Sequence, residues 1–257
     1  RGEMSKKVEE SYLRPKKQIS LEKVRFTYPN KQEPALDGLS ISIPINSVIG
    51  IVGPSGSGKS TLIDILLGLI EPDQGKLKID NKIIDSKNCR SWQNTIGFVA
   101  QSIFLSEGSI AENIAFGIPN NEIDFKQVEY ALRLAQLSEL TKSLKQGIHT
   151  KVGERGIQLS GGQRQRIGIA RALYHKAEVL VFDEATSSLD GITEKMIIEA
   201  IHDFSGKKTI ILIAHRLKTV QKCDKIFFID NGKVADQGTY DELIDKNEQF
   251  KNMSMHA

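Results

Sequence analysis

The sequence is poor in the features that build disulfide frameworks, membrane spans and strongly charged surfaces. Its 257 residues include only two cysteines, Cys89 and Cys223, which are far apart and form no CxxC pair. This argues against a disulfide or cysteine-rich zinc framework and fits a reducing compartment. The sequence has no apolar run near the roughly 18 residues that span a bilayer, and its first residues lack the signal-peptide pattern. The net charge of +3 gives no electrostatic case for a nucleic-acid partner, and the start at Arg1 suggests a fragment of a longer protein.

One segment, GPSGSGKS at residues 53–60, has the composition of a phosphate-binding loop. It follows an apolar run at 47–52, which predicts a buried strand, and precedes a helical pattern at 61–68. Glycines let successive backbone N–H groups point at a phosphate, and the helix start adds partial positive charge. Lys59 can reach the β- and γ-phosphates, and the Ser60 hydroxyl can bind Mg²⁺. The segment therefore predicts nucleotide binding, and the alternative is a plain glycine-rich turn.

A second segment, LSGGQ at residues 159–163, also predicts an anion site. Ser160 is a natural N-cap for the helical pattern that follows, and Gly161 and Gly162 leave backbone N–H groups bare at a helix start. One fold rarely needs two phosphate sites. We therefore expect that the chain handles two phosphates or pairs with a copy of itself.

Polar side chains directly follow the predicted core strands. Asp183 and Glu184 close the apolar run at 179–182, while Gln101 and His215 follow two other strands. Ligands of open α/β sheets bind at the carboxyl ends of such strands. Asp183 is placed to hold Mg²⁺, Glu184 to accept a proton from the attacking water, and His215 to contact the γ-phosphate. The alternatives are a solvated acidic turn and a structural histidine.

The order of the predicted elements indicates an α/β fold with a mainly parallel P-loop NTPase core. Alternating patterns at 18–28 and 36–44 predict an antiparallel β layer beside that core. Tyr28 closes the first of these strands, where its ring either stacks on a nucleotide base or packs in the turn. Helical patterns at about 102–175 predict an α-helical subdomain inserted in the core.

The two ends of the chain are less regular. Residues 1–17 are charged and show no clear period, which favours a linker or mostly flexible arm before a single domain at 18–257. Asn231 and Gly232 predict a closing hairpin. Thr239 predicts the cap of a last helix, which is followed by a polar tail.

These motifs, in this order, resemble the nucleotide-binding domain of ATP-binding cassette (ABC) transporters over about residues 18–246. LSGGQ is the most specific of them, and its combination with two nucleotide motifs is not explained by a chance match. In this resemblance Tyr28 matches the A-loop, residues 53–60 the Walker A motif, Gln101 the Q-loop, residues 159–163 the signature, residues 179–184 the Walker B motif with its glutamate, residues 187–190 the D-loop and His215 the H-switch.

Two further segments resemble the exporter type within this family. KVGERG at residues 151–156 looks like the exporter x-loop, and residues 108–114 resemble the segment that exporters place against their coupling helices. Ala100 is a departure, because many exporters have proline before the Q-loop glutamine. The overall similarity is to half-transporters of the flippase kind, which move lipids or lipid-linked oligosaccharides.

The resemblance implies an ATPase that drives transport and uses ATP with Mg²⁺. It implies a head-to-tail homodimer, a transmembrane domain on the same polypeptide and no nucleic-acid partner. The domain would lie at the cytoplasmic face of the bacterial inner membrane and be soluble when isolated. Carried over residue by residue, catalysis falls to Glu184, His215, Gln101 and Lys59; nucleotide binding to Tyr28, Gly53, Pro54, Ser55, Gly56, Ser57, Gly58, Lys59, Ser60, Thr61, Gln101 and His215; contacts from the second copy to Leu159, Ser160, Gly161, Gly162, Gln163 and Asp190; and Mg²⁺ ligation to Ser60, Gln101 and Asp183.

Other classes compete with this interpretation. A soluble cassette ATPase of nucleic-acid metabolism usually has long coiled-coil insertions or a second cassette, and neither is visible in this sequence. An importer ATPase normally lacks the Glu-Arg-Gly x-loop, and a P-loop kinase lacks LSGGQ. Lipid, lipid-linked glycan, peptide and drug all stay open as transported substrates, with the similarity favouring the first two.

Overall fold

The computed structural model describes residues 11–100, 102–183, 195, 198–199, 201–202, 204 and 206–256. Its strands are β1 (Gln18–Phe26), β2 (Leu36–Pro44), β3 (Val48–Val52), β4 (Gln74–Ile79), β5 (Lys82–Ile83), β6 (Ile96–Val99), β7 (Gly108–Ser109), β8 (Lys151–Val152), β9 (Val179–Asp183), β10 (Thr209–Ile213), β11 (Lys225–Asp230) and β12 (Lys233–Gly238). Its helices are α1 (Lys59–Leu66), α2 (Cys89–Gln93), α3 (Ile110–Ile114), α4 (Phe125–Leu134), α5 (Ser138–Ser143), α6 (Gly161–Tyr174), α7 (Tyr240–Lys246) and α8 (Glu248–Met255).

A six-stranded sheet forms the centre of the molecule, in the order β12-β11-β3-β10-β9-β6. Strands β11, β3, β10, β9 and β6 are parallel to their neighbours, and β12 is antiparallel at one edge. The carboxyl ends of the parallel strands therefore meet at one edge, where the glycine-rich loop, Asp183 and His215 follow three adjacent strands. This is the edge at which open α/β sheets bind their ligands.

The central strands are apolar throughout because both faces of the sheet are covered. All five residues of β3 are buried. Val48 and Val52 belong to the core beneath the inserted helices, whereas Ile49 and Ile51 pack with α1 and the antiparallel sheet. Side chains alternate between these two cores along the strand, so one short strand supports both layers.

The flanking antiparallel sheet has the order β2-β1-β4-β5. β1 pairs with β2 on one side and with β4 on the other, both in the antiparallel sense. Its last residue, Phe26, leads directly into Tyr28 at the edge of the nucleotide-loop region. The predicted β layer and its two strands are thus confirmed.

The predicted helical insertion is also confirmed, as a set of separate helices. β7 pairs with β8 at its base, and α3 and α4 pack against α6. Val128, Ala131 and Leu132 form the buried side of α4. Gly117, with φ 84°, and Gln136, with φ 59°, adopt left-handed backbone conformations in the connections that follow α3 and α4.

The start of the described chain differs from the predicted flexible arm. The Asp80 carboxylate accepts hydrogen bonds from the backbone N–H groups of Lys16, Lys17 and Gln18. Leu13 packs, partly buried, on the core beside the antiparallel sheet. Residues 11–17 are therefore attached to the domain through contacts that the sequence pattern does not reveal.

The end of the chain contains a helix that the polar tail did not predict. Thr239 caps α7 as expected, because its hydroxyl accepts from the Glu242 N–H at 3.3 Å. The next helix, α8, buries Phe250 completely, with its ring edge-on to Phe228 and Tyr240. The buried Phe250, together with the partly buried Met253, attaches this mainly polar helix to the core.

Taken together, the described elements form an α/β fold with a P-loop core, an antiparallel β layer and an inserted helical layer, as predicted. Within the part of the chain that the structure describes, no helix is both long and apolar enough to cross a membrane.

Candidate nucleotide-binding site

The glycine-rich loop leaves the start of α1 open. The N-cap of α1 is Gly58, which has φ 108° and no side-chain cap, and Gly56 has φ 77°. A Cβ atom on Gly58 would lie 2.6 Å from the carbonyl oxygen of Ala35, so a larger residue would need the backbone to shift. The first amides of α1 are left without a protein cap, which is the arrangement an anion needs.

Lys59 lies at the centre of the site and is buried. Its ammonium group donates a hydrogen bond to the carbonyl oxygen of Gly53 and lies 3.0 Å from Nδ1 of His215. Because an ammonium group has only donors, Nδ1 is the acceptor and the ring proton of the neutral imidazole is on Nε2. The contact between Lys59 and His215 joins residues that are 156 positions apart in the sequence.

The three titratable groups at this edge shift one another's pKa values. Burial lowers the pKa of Lys59 to about 8, while the nearby Asp183 opposes the shift. Burial raises the pKa of Asp183, against the opposing effect of His215 and Lys59. Burial and the charge of Lys59 lower the pKa of His215, which favours its neutral form. Closely coupled groups with perturbed pKa values are typical of functional sites.

The donor set at this edge fits a phosphate chain with Mg²⁺. Ser60 supplies a hydroxyl and Asp183 a carboxylate, and hard oxygen atoms of this kind are the ligands that Mg²⁺ prefers. The Oγ atom of Ser57 is buried in the loop and has no hydrogen-bond partner among the described residues.

A cavity of about 840 Å³ opens between the glycine-rich loop and the antiparallel sheet. Its volume lies in the range of small-molecule and cofactor sites. Its walls come from three regions, namely the β1–β2 connection, the start of α1, and the carboxyl ends of β9 and β10. The lining includes Tyr28, Lys31, Gln32, Glu33, Pro34, Ala35, Ser55, Gly56, Gly58, Lys59, Ser60, Thr61, Ile63, Asp183, Ile213 and His215.

Tyr28 stands at the wall of this cavity formed by the antiparallel sheet. Its ring is 38% exposed and lies edge-on to Phe26, with 4.9 Å between the ring centroids. Its hydroxyl oxygen lies 2.9 Å from Oγ1 of Thr61 in the first turn of α1. A partly exposed ring held in this way is available for stacking on a planar ligand.

The second predicted anion site, at the start of α6, has a side-chain cap. The Ser160 hydroxyl accepts from the Gln163 N–H at 3.2 Å, and the Gln163 side chain accepts from the Ser160 N–H at 2.9 Å. Ser160 and Gly161 are exposed, whereas Leu159 is buried. None of the five signature residues is among those that line the cavity at α1.

Several predicted site residues lie outside the described residues. These are Gln101, Glu184, Asp190 and the remainder of residues 187–190. Their roles stay predictions from the resemblance. The described strands β6 and β9 end at Val99 and Asp183, shortly before Gln101 and Glu184 in the sequence.

The structure adds residues that sequence reasoning missed. Residues 31–35 line the cavity, and their place directly after Tyr28 was the available signal. Asp64 lies one helical turn after Ser60, and burial together with the charge of Asp183 raises its pKa. The bond between Tyr28 and Thr61 had no sequence signal, because the two residues belong to different elements.

Comparison with known proteins gives consistent matches. The sequence pattern of the family described as "ABC transporter" matches residues 36–187. The chain is 41% identical over 235 residues to the ATP-dependent lipid A-core flippase of Cupriavidus pinatubonensis, covering 91% of this chain and 40% of that protein. It is 42% identical over 228 residues to the mitochondrial ATP-binding cassette sub-family B member 10 of Mus musculus, covering 88% of this chain and 32% of that protein.

A solved structure agrees with these relatives. The structure of a bacterial Atm1-family ABC exporter with ATP bound has a TM-score of 0.87 and 34% identity, covering 97% of this chain and 43% of that chain. The chain therefore spans less than half the length of these relatives. Domains of this family bind ATP with Mg²⁺, and these relatives favour an exporter over an importer. The chain belongs to the ABC transporter family, in which it is an exporter-type ATPase domain.

Proposed function

We propose that this domain powers a membrane exporter by closing two copies head to tail around two ATP molecules. The observation that supports this proposal is the separation of the two anion sites. The exposed start of α6 does not line the cavity that holds Lys59 and His215. A second copy related by two-fold symmetry could bring its own α6 to that cavity, and each copy would then complete the other's site.

Within one copy, the residues around α1 bind and orient the nucleotide. The open amides of residues 53–60 and the Lys59 ammonium bind the phosphates, and Tyr28 stacks on the base. His215 donates from Nε2 toward the γ-phosphate, because its Nδ1 already accepts from Lys59. Ser60, Asp183 and Gln101 hold Mg²⁺, which neutralises charge on the phosphates when bound.

Across the dimer, the start of α6 supplies donors to the same phosphate chain. The Ser160 hydroxyl accepts from Gln163 and retains its own hydrogen, which it can donate to the γ-phosphate. The amides of Gly161 and Gly162 point in the same direction at the helix start. Leu159 lies buried behind them, and Asp190 couples the two copies.

Hydrolysis requires an activated water and a departing ADP. Water attacks the γ-phosphorus, the bond to the oxygen that bridges the β- and γ-phosphates breaks, and Glu184 takes the proton of the water. The γ-phosphate then no longer joins the two copies, so the dimer opens. The dimer therefore alternates between a closed state, which forms when ATP binds, and an open state, which follows hydrolysis.

The deciding experiment uses the Glu184→Gln variant of the domain. We expect it to bind ATP but to turn over at least about 10²-fold more slowly, since a general base contributes on this scale. With ATP and Mg²⁺ it should change from monomer to dimer in sedimentation velocity. A variant that binds ATP but stays monomeric at every concentration would overturn the shared site, and a turnover near wild type would exclude Glu184 as the base.

The partner on the membrane side is proposed to be a transmembrane domain of the same polypeptide. An exposed aromatic pair, Phe104 and Phe116, lies on the helical insertion near the segment 108–114. Arg171 supports both, since it donates to the Phe104 carbonyl oxygen and its guanidinium lies 4.8 Å from the centre of the Phe116 ring. Exposed aromatic rings on a rigid base suit a protein interface. In a full-length transporter, Phe116→Ser should lower transport. In the isolated domain, the same substitution should lower the basal ATPase rate by a smaller factor.

The transported molecule is proposed to be a lipid or a lipid-linked glycan. Two relatives, from Cupriavidus pinatubonensis and Vibrio vulnificus, are named ATP-dependent lipid A-core flippases and are 41% and 37% identical to this chain. Substrate contacts would lie in the transmembrane domain. Full-length protein in liposomes with a fluorescent glycolipid tests this, because ATP-dependent flipping is expected and drug or peptide export without flipping would overturn it.

A further inference from the structure

The hydrogen bond between Tyr28 and Thr61 joins two parts of the cavity that perform different tasks. Tyr28 lies two residues after the end of β1 in the antiparallel sheet and lines the cavity. Thr61 is almost fully buried, two residues after Lys59 in the first turn of α1. The hydrogen bond between their hydroxyl groups, with 2.9 Å between the oxygen atoms, directly links the part of the cavity proposed to bind the base to the part proposed to bind the phosphates.

Which of the two hydroxyl groups donates this hydrogen bond depends on whether Thr61 also donates to a phosphate. Either hydroxyl can be the donor in the free domain. A hydroxyl has one hydrogen and two lone pairs, so Thr61 can accept from Tyr28 and donate its own hydrogen to a phosphate oxygen at the helix start. An anion at that helix start therefore favours the direction in which Tyr28 donates to Thr61. Chains of hydrogen bonds oriented in one direction strengthen one another.

We propose that Thr61 is a positioning residue that couples base stacking to phosphate binding. This inference rests on the proposed function, because it assumes that Tyr28 stacks on the base. A phosphate on Thr61 fixes the Tyr28 hydroxyl and hence the ring, and the edge-on contact with Phe26 supports the ring from the other side. The link favours ligands that carry both an aromatic base and a polyphosphate at the correct separation.

The test compares a nucleotide with a ligand that has phosphates but no base. The dissociation constants of ATP and of inorganic triphosphate, each with Mg²⁺, are measured on the domain. Tyr28→Phe keeps the ring and removes the hydroxyl, so ATP should bind about three- to tenfold more weakly, as expected for one hydrogen bond, while triphosphate binding stays unchanged. Thr61→Val should weaken both ligands, and Thr61→Ser should restore ATP binding.

The double variant distinguishes coupling from two independent losses. In the Thr61→Val background, Tyr28→Phe should weaken ATP binding no further, because the partner of the hydroxyl is already absent. In steady-state assays the effect of Tyr28→Phe should fall on KM rather than on kcat. Tyr130→Phe is the matched control, since Tyr130 is similarly exposed but lies on α4 outside the cavity lining.

Two results would overturn the inference. One is Tyr28→Phe binding ATP as wild type does, and the other is fully additive losses in the double variant. A wild-type domain that fails to bind ATP would instead overturn the proposed function. Because the wild-type titration is read first, the two failures are distinguishable.

Discussion

The two helix starts that the sequence predicts as anion sites are built in opposite ways. At α1 the capping position is Gly58, in a left-handed conformation and without a side-chain cap. At α6 it is Ser160, which forms a reciprocal capping box with Gln163. The start of α1 has no side-chain cap, so its backbone N–H groups stay available for an anion. The second uses one amide for its cap and presents a hydroxyl in its place.

This difference fits the proposed dimer, in which the α1 site binds the nucleotide within one chain and the α6 start acts from the second copy. Around α1, three titratable groups, Lys59, His215 and Asp183, lie together, and burial shifts the pKa of each. The start of α6 has neutral donors on an exposed and internally ordered helix end. Neutral donors suit a late contact with a phosphate that is already held elsewhere.

The largest effect is expected from Lys59→Ala, which removes the buried charge at α1. Turnover should fall by about 10²–10³-fold, as for loss of a preorganised group facing transition-state charge. ATP binding to the monomeric domain should weaken with it, as measured by equilibrium titration. Lys142→Ala is the control, because that lysine is exposed and pairs with Glu139 on the same helix, outside the lining of the cavity. A Lys59→Ala domain with normal binding would show that α1 needs its amides alone.

The next largest effect is expected from Ser160→Ala. Loss of a hydrogen bond to a charged phosphate should slow turnover about ten- to a hundredfold. Binding of ATP by the dilute, monomeric domain should change little, because in the proposed dimer the hydroxyl contacts the nucleotide of the other copy. Ser109→Ala is a matched control, since Ser109 caps α3 through the same kind of box with Glu112. If Ser160→Ala weakened ATP binding in the monomer, the α6 start would belong to the site of its own chain.

A smaller effect should come from pH, and only at the α1 site. Phosphate binding needs protonated Lys59, whose pKa is about 8 in the free domain. Below that pH the proton is already present; above it, ATP binding must take up a proton, so affinity should fall by about tenfold per pH unit. Calorimetry in two buffers of different ionisation heat should detect proton uptake at about pH 9 and little at about pH 7.

The same measurement sharpens the comparison between the two helix starts. Ser160→Ala removes no titratable group and should keep the pH profile of the wild-type domain. A flat affinity from neutral to alkaline pH would mean that Lys59 keeps its charge without the nucleotide. A changed profile in Ser160→Ala would link α6 to the titrating groups within one chain.

Much of this contrast could be predicted from the sequence, because it depends on local patterns. Apolar runs predicted β3, β9 and β10, and the serine before the helical pattern predicted Ser160 as the N-cap of α6. The contacts between Lys59 and His215 and between Tyr28 and Thr61 could not be predicted, because they join distant segments. Helix α8 was missed for a related reason, since one buried Phe250 replaces a full apolar stripe.

The smallest effect, and the finest test of the comparison, is expected from Gln163→Ala. It removes half of the α6 capping box but keeps the Ser160 hydroxyl. The free energy of unfolding should fall by about 0.5–1 kcal/mol in urea titrations, and Glu112→Ala should cost a similar amount at α3. Turnover should drop only slightly for Gln163→Ala and not at all for Glu112→Ala in the isolated domain. If Gln163→Ala slowed turnover as much as Ser160→Ala, the order of the helix end, rather than the donated hydrogen, would be what the partner's nucleotide needs.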